Sequence, residues 1–140
     1  MHASLNAGRI EIVAGLSEPV DWTAKGKDGK AVLIIDELDY VRFKLAATAS
    51  GDPILDLIDG DESDNGSRVT INTRGTLDPA TFATGQVMLA ERDTAGLSGV
   101  HFYELLLIDS AEPTERQDKM ICRGEINFLP SLGGQKGPPA

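Results

Sequence analysis

The sequence predicts an all-β domain: an antiparallel β-sandwich, Ig-like or jelly-roll-like, with at most one short helical turn. Apolar side chains recur at every second position in several stretches, which is the period of a strand buried on one face. Glycine, proline, asparagine and aspartate separate these stretches at short intervals, as the turns of a sandwich or barrel do. A chain of 140 residues is long enough for one such domain and its core.

Three stretches alternate most clearly, and they are residues 40–47, 67–73 and 120–128. In the first, apolar side chains occupy the odd-numbered positions, whereas Arg42 and Lys44 fall on the opposite face. In the third, the even-numbered positions are predicted to point toward the core and the odd-numbered ones toward solvent. Each stretch is therefore expected to form a half-buried strand.

Six further strands are predicted from shorter or more uniformly apolar runs, at residues 9–14, 20–25, 31–35, 54–58, 86–90 and 102–108. Their lengths fall in the usual range for strands. The run 102–108 is apolar enough for a central strand that is covered on both faces.

Turn-forming residues mark three of the connections. Lys27–Lys30 contains an Asp-Gly pair, which tolerates the positive φ angles of a tight hairpin turn. Ser50–Pro53 and Asp64–Gly66 carry Gly-Asp-Pro and Asn-Gly sequences, which also end a strand. These positions are expected to lie between strands.

Residues 78–97 do not follow the alternating pattern. Glu91–Leu97 is predicted to form one short helical turn between strands. Gly85 and Gly96 disfavour a longer helix, because glycine in a helix interior costs about 1 kcal/mol relative to alanine.

The chain is predicted to hold one domain, residues 9–132, between an N-terminal arm of residues 1–8 and a flexible C-terminal tail of residues 133–140. The tail is rich in glycine and proline, which leave little to bury. Residues 1–9 lack a charged lead followed by an apolar run, so no signal peptide is expected. No stretch approaches the ~18 consecutive apolar residues of a membrane span.

The charge balance narrows the choice of partners. Twenty-two acidic residues outnumber thirteen basic ones, and the formal net charge is −9. Such a field repels nucleic-acid phosphates and anionic lipid head groups. Nucleic acids and membranes are therefore not expected as partners.

Cys122 is the one cysteine of the chain. No intrachain disulfide can form, and a zinc site of the usual cysteine type is excluded. Because Cys122 lies inside an alternating stretch, we expect it to be a small buried hydrophobic residue rather than a nucleophile.

The acidic loop that follows residue 58 superficially resembles a calcium-binding loop. Asp59, Asp61 and Ser63 are weak candidate metal ligands, since a hard cation prefers oxygen donors. The spacing of an EF-hand fails, however, because Asp64 occupies the turn position that requires glycine and Thr70 the position of the bidentate glutamate. The prediction is a solvated loop, with no metal and no cofactor.

No catalytic constellation is expected. His101 has no second histidine at metal-binding spacing, and Ser98 lies in no nucleophile-elbow motif. Carboxylates are plentiful, but the aromatic platforms of sugar-cleaving clefts are scarce, and Trp22 is expected to pack in the core or at an edge. The chain is therefore predicted not to be an enzyme.

Eight segments follow one another in a characteristic order: Val20–Thr23, Lys27–Lys30, Val41–Leu45, Pro53–Leu57, Gly66–Ile71, Asp93–Leu97, Val100–Leu107 and Arg123–Phe128. This order resembles the small β-sandwich domains of tailed-bacteriophage virions. That family includes the N-terminal domain of upper baseplate proteins and short stand-alone accessory proteins. The resemblance spans residues 9–132.

The resemblance implies a structural role in a virion, as a capsid decoration or cement protein or as a tail- or baseplate-associated one. Its partners would be virion structural proteins, in a homo-oligomer or other symmetric assembly, and it would be made in the host cytoplasm. Edge strands and both termini are the expected contact surfaces. The alternative is a carbohydrate-binding β-sandwich module whose acidic loop holds calcium.

Overall fold

The structure is a computed structural model that describes residues 3–25, 39–77, 79–108 and 120–130. Its strands are β1 (Ala3–Ser4), β2 (Arg9–Val13), β3 (Glu18–Ala24), β4 (Tyr40–Ala46), β5 (Pro53–Ile58), β6 (Arg68–Thr73), β7 (Thr76–Leu77), β8 (Ala80–Thr81), β9 (Ala83–Leu89), β10 (Gly99–Ile108) and β11 (Met120–Leu129). A 3₁₀ turn, Leu5–Ala7, follows β1, and helix α1, Glu91–Thr94, follows β9.

Two sheets pack face to face, which confirms the predicted all-β sandwich. One sheet has the order β1-β3-β9-β6 and the other the order β2-β11-β10-β4-β5, while β7 and β8 form a small separate hairpin. The strand order is Ig-like: β3, β9 and β6 occupy the places of strands B, E and D, and β11, β10, β4 and β5 those of G, F, C and C′. In the described part of the chain, no helix has the length and apolar character that a membrane crossing requires.

The core lies between the two sheets. Its largest fully buried side chains are Trp22, Phe43, Tyr103 and Phe128, contributed by β3, β4, β10 and β11. The predicted alternation is confirmed in β4, where every second residue from Val41 is buried, although Ala47 lies beyond the strand and is exposed. The hydrophobic period of two thus determines which side chains face the core between the sheets.

The two sheets are mixed, whereas the sequence analysis expected antiparallel pairing. β1 pairs parallel with β3, with Ala3 opposite Val20, and β2 pairs parallel with β11, with Ile10 opposite Ile126. Alternation specifies which side chains face inward, but it carries no information on the direction of the neighbouring strand. The N-terminal strands can therefore join either sheet edge without changing their pattern.

Residues 3–8, which the sequence analysis assigns to an arm, pack into the domain. Leu5 is fully buried in the core. The amide of Asn6 donates to the carbonyl of Thr23 and its oxygen accepts from the Thr23 N–H, both at 2.7 Å. The asparagine side chain thus occupies the place of a neighbouring strand at the edge of β3, and the ordered domain includes Ala3.

A bulge in β11 changes the predicted phase of the last strand. Leu105 lies opposite Cys122, but Leu106 lies opposite Met120, so Ile121 is the extra residue. Ile121 is buried, although its odd number placed it on the solvent face. A single inserted residue reverses the alternation. The period of the sequence does not indicate where such an inserted residue lies.

The predicted connections are found where the structure describes them. Helix α1 confirms the predicted short helical turn. Gly66 has a φ of 97°, as the Asn-Gly turn requires, and residues 47–52 separate β4 from β5. The Lys27–Lys30 turn, the strand predicted at 31–35 and the tail at 133–140 lie outside the described residues.

Candidate functional site

Two of the three candidate metal ligands, Asp59 and Ser63, hold the acidic loop in place. Asp59 Oδ1 accepts a hydrogen bond from the Val41 N–H at 2.8 Å, at the start of β4. Ser63 Oγ donates to Asp93 at 2.7 Å, and Asp61 is exposed. Across the described ranges, no group of three or more histidine, cysteine, aspartate or glutamate side chains is arranged to hold a metal ion. Asp59 and Ser63 thus bond to different partners, Val41 and Asp93.

Asp93 is the centre of a polar cluster that the sequence analysis missed. Its carboxylate accepts hydrogen bonds from the hydroxyls of Ser63 and Ser67 and from the amide of Asn65. Partial burial by itself raises the pKa of Asp93, but the hydrogen bonds from these three side chains outweigh it and lower the pKa. The cluster therefore holds the loop before β6 against α1, which is a structural role.

Two residues considered for catalysis are packing residues. The His101 ring is buried and meets the Phe128 ring edge to face at 5.1 Å, and its Nδ1 lies 3.2 Å from the Gly99 carbonyl oxygen. Trp22 is only 1% exposed, which confirms the expectation of core packing. Neither side chain is presented to a cleft.

Cys122 packs against the core. Burial raises the pKa of its thiol to about 12. Since the thiolate is the nucleophilic form, the thiol is unreactive at neutral pH.

The outer face of the five-stranded sheet carries a row of four charges at one level, which we call the charge row. Arg123 lies opposite Glu104, Glu104 opposite Lys44, and Lys44 opposite Asp56. The row therefore crosses β11, β10, β4 and β5 with alternating sign. Directly opposite pairs of unlike charge stabilise strand pairing.

Arg42, on the same face, binds Asp56 and so holds the last side chain of the charge row in one position. Its Nε and Nη2 donate to the two oxygens of Asp56 at 2.7 and 2.5 Å. This two-pronged hydrogen bond holds the pKa of Asp56 below its ordinary value. Asp56 is therefore a fixed anion at neutral pH.

A shallow groove of about 240 Å³ lies beside the charge row. Its lining residues are Lys44, Ala46, Thr48, Ala49, Ser50, Gly51, Pro53, Phe102 and Glu104. Most of these side chains are small, and Phe102 is half-buried at one wall. The turn between β4 and β5 forms the far side of the groove.

β5 is an edge strand, and in the described part of the chain no strand pairs with its outer side. The Asp59 N–H donates to the Val41 carbonyl, so the alternation of an antiparallel ladder turns the main-chain groups of Asp56 away from β4. The N–H of Ile58 points the same way. Ile54, near the groove, is 49% exposed. The edge thus combines outward main-chain groups that no described strand pairs with and an exposed apolar side chain.

The sequence contained part of this information. Alternation placed Lys44 on the outer face, but it did not predict the strand pairing that aligns Lys44 with Glu104 and Asp56.

No known protein family model, curated protein or solved structure matches this chain. The resemblance to phage virion domains therefore stays a prediction from the order of its segments.

Proposed function

We propose that the chain is an accessory structural protein of a tailed-bacteriophage virion, as a capsid decoration or cement protein or as a tail- or baseplate-associated one. It is made in the host cytoplasm, joins the particle and acts through protein–protein contacts. The virion setting is supported by the resemblance of its segments to that family. The mode of contact is supported by the open edge of β5.

Strand addition is the contact that this edge favours. An extended segment of a neighbouring virion protein pairs with the outward main-chain groups of Asp56 and with the outward N–H of Ile58, whose carbonyl already accepts from the Asp61 N–H at 3.0 Å. Ile54 supplies apolar surface at one end of the strand, and the adjacent groove accepts a side chain of the added segment. Main-chain pairing gives the affinity, and the groove gives the specificity.

The fold supports this role because it presents the edge in one orientation. β5 pairs with β4, which shares the buried core with the facing sheet. Leu5 and Asn6 fasten the N-terminal segment to the same body. Residues 3–8 pack into the domain and therefore give less support as a contact arm. Residues 131–140 lie outside the described part.

The virion role is tested by quantitative mass spectrometry of purified particles of the phage that encodes the chain. We expect the chain at a fixed ratio to the major structural proteins after density-gradient purification. Particles that contain every other structural protein but lack this chain would overturn the proposal.

The strand-addition mode is tested by Asp56→Pro, compared with Asp56→Ala. Both variants lose the ion pair with Arg42, but only proline also removes the outward N–H. Proline is tolerated at an edge strand whose N–H faces solvent, so both variants are expected to fold. We expect at least tenfold less particle incorporation for Asp56→Pro than for Asp56→Ala, and equal incorporation would contradict this mode.

A further inference from the structure

We propose that a second copy of this chain docks on the outer face of the five-stranded sheet, so that the charge rows of the two copies meet. The inference deepens the proposed function by naming one partner, and it rests on that function only for its biological setting. It is carried by the charge balance of the face, by the order of the charges along the row and by the groove beside it.

Among the described residues, the strands of the outer face carry equal numbers of basic and acidic side chains, in a chain that is acidic as a whole. The four basic ones are Arg9, Arg42, Lys44 and Arg123, and the four acidic ones are Glu11, Asp56, Glu104 and Glu125. The formal net charge of −9 therefore arises elsewhere on the chain. Two copies that approach through this face bring balanced charges together, whereas an approach through acidic surface adds repulsion.

The order of the charges makes the row complementary to itself. From β11 to β5 it runs positive, negative, positive, negative. A two-fold axis that is parallel to the strands and passes between β10 and β4 reverses the row in the facing copy. Arg123 then faces Asp56 of the second copy, and Glu104 faces Lys44. Every charge of the row meets its opposite, which gives orientation and specificity to the contact.

The same axis brings an aromatic side chain to a cavity. Phe102 on β10 lies directly opposite Ala46 on β4, so the axis sets Phe102 of each copy against Ala46 of the other. The groove of about 240 Å³ begins at Ala46 and is lined mainly by small side chains. A phenyl ring that enters it fills the space with apolar contact, the kind of anchor on which interfaces depend.

The open part of the face is limited at one end. Leu106 and Ile108 follow Glu104 on the outer side of β10, yet they are only 3% and 2% exposed. Val100, at the other end of the strand, is 38% exposed. The accessible contact area thus extends from the charge row toward Val100 and includes the groove.

The test uses the full chain and two single charge reversals, Lys44→Glu and Glu104→Lys. Each reversal places like charges face to face twice in a two-fold dimer, so we expect the dimer dissociation constant to rise at least tenfold in sedimentation equilibrium. When the two variants are mixed, the two substituted side chains face each other in one contact of the heterodimer, and the two unaltered ones, Glu104 and Lys44, face each other in the other. Both contacts then join opposite charges, so a heterodimer of wild-type affinity is expected from the mixture.

The double variant with both reversals restores every pair of opposite charges across the dimer contact and is expected to dimerise like the unaltered chain. Within each chain it places like charges side by side on neighbouring strands, so its melting temperature is expected to fall. Arg68→Glu, an exposed change of equal charge on β6, is the matched control and is expected to leave the dissociation constant unchanged. Phe102→Ala is expected to weaken the dimer without altering its salt dependence. Thermal melting of each variant distinguishes a weakened dimer contact from unfolding of the chain itself.

Three outcomes would overturn the inference: a chain that stays monomeric at millimolar concentration, a dimer that Lys44→Glu leaves intact, or a mixture that gives no heterodimer. None of these outcomes affects the mass spectrometry of virions, which tests the proposed function separately. A chain found in particles but monomeric in solution would retain the virion role and remove self-association.

Discussion

The hydroxyl of Tyr103 donates a hydrogen bond to the main-chain carbonyl of Leu5, 98 residues earlier in the chain. Tyr103 is 2% exposed and Leu5 is fully buried, so the bond joins the N-terminal segment to the central strand β10 inside the domain. Burial raises the pKa of Tyr103 well above its ordinary value, which keeps the hydroxyl protonated as a donor. Gly124 permits this arrangement, since a Cβ there would contact Gly8 and the Tyr103 hydroxyl.

Tyr103→Phe is therefore expected to lower the free energy of unfolding by about 0.5–1.5 kcal/mol, because it removes one of the two donors to the buried Leu5 carbonyl and leaves only the Gly8 N–H at 3.2 Å. Leu5→Ala, which empties part of the core, is expected to cost about 2–5 kcal/mol. Urea denaturation followed by tryptophan fluorescence measures both. A Tyr103→Phe variant as stable as the unaltered chain would show that the N-terminal segment is held by other contacts.

Gly85 is predicted to be intolerant of any side chain. A Cβ at this position would overlap the Trp22 ring and the carbonyl oxygen of Thr70, so we expect Gly85→Ala to destabilise the domain by about 1–3 kcal/mol. Gly96→Ala is the matched control, because a Cβ there meets nothing within 4 Å. Thermal melting of the two variants compares them directly, and equal melting temperatures would contradict the close packing of Trp22 on β9.

Asp93→Ala is expected to lower the free energy of unfolding at neutral pH by about 1–3 kcal/mol, because Ser63, Asn65 and Ser67 lose a charged acceptor. Since the pKa of Asp93 is lowered in the folded state, its contribution is present above the unfolded pKa of about 3.9. The contribution disappears as the pH falls through the folded pKa. The difference between the unaltered chain and Asp93→Ala should therefore shrink in acid and persist from about pH 5 upward. Asp61→Ala, an exposed change in the same loop, is the control and should leave the free energy of unfolding at neutral pH nearly unchanged.

Calcium is expected to leave the melting temperature unchanged, because Asp59 and Ser63 are engaged in hydrogen bonds within the domain. Asp59→Ala should destabilise the chain equally with and without calcium, through the loss of the acceptor for the Val41 N–H. Differential scanning calorimetry in calcium and in chelator measures both effects. Stabilisation by calcium that Asp59→Ala abolishes would restore the metal-binding hypothesis for the acidic loop.

Local patterns in the sequence predicted most of the fold. The positions of most described strands, the short helix at Glu91 and the turn at Gly66 follow from side-chain period, helix propensity and φ tolerance, which act between close neighbours. The burial of Trp22 followed from its place on a predicted strand. The bulge at Ile121 did not, because it depends on how two distant strands align.

The candidate contact surface, unlike the strand positions, depends mainly on which strands pair and how they are aligned. The sequence placed Lys44 on an outward face, but only the alignment of four strands sets it between Glu104 and Asp56. Likewise, Ser63 looked like a weak metal ligand until the fold brought Asp93 against it, 30 residues further along the chain.

The amino-acid sequence by itself thus determined an all-β domain, its main strands and the inward side of most of them, because these follow from the alternation of neighbouring side chains. Tertiary structure alone decided which strands are neighbours, that β1 and β2 run parallel to theirs, and which charges stand in one row. The physical reason is that main-chain hydrogen bonds between strands are nearly the same for every sequence, so strand order and alignment are selected by packing of the whole core.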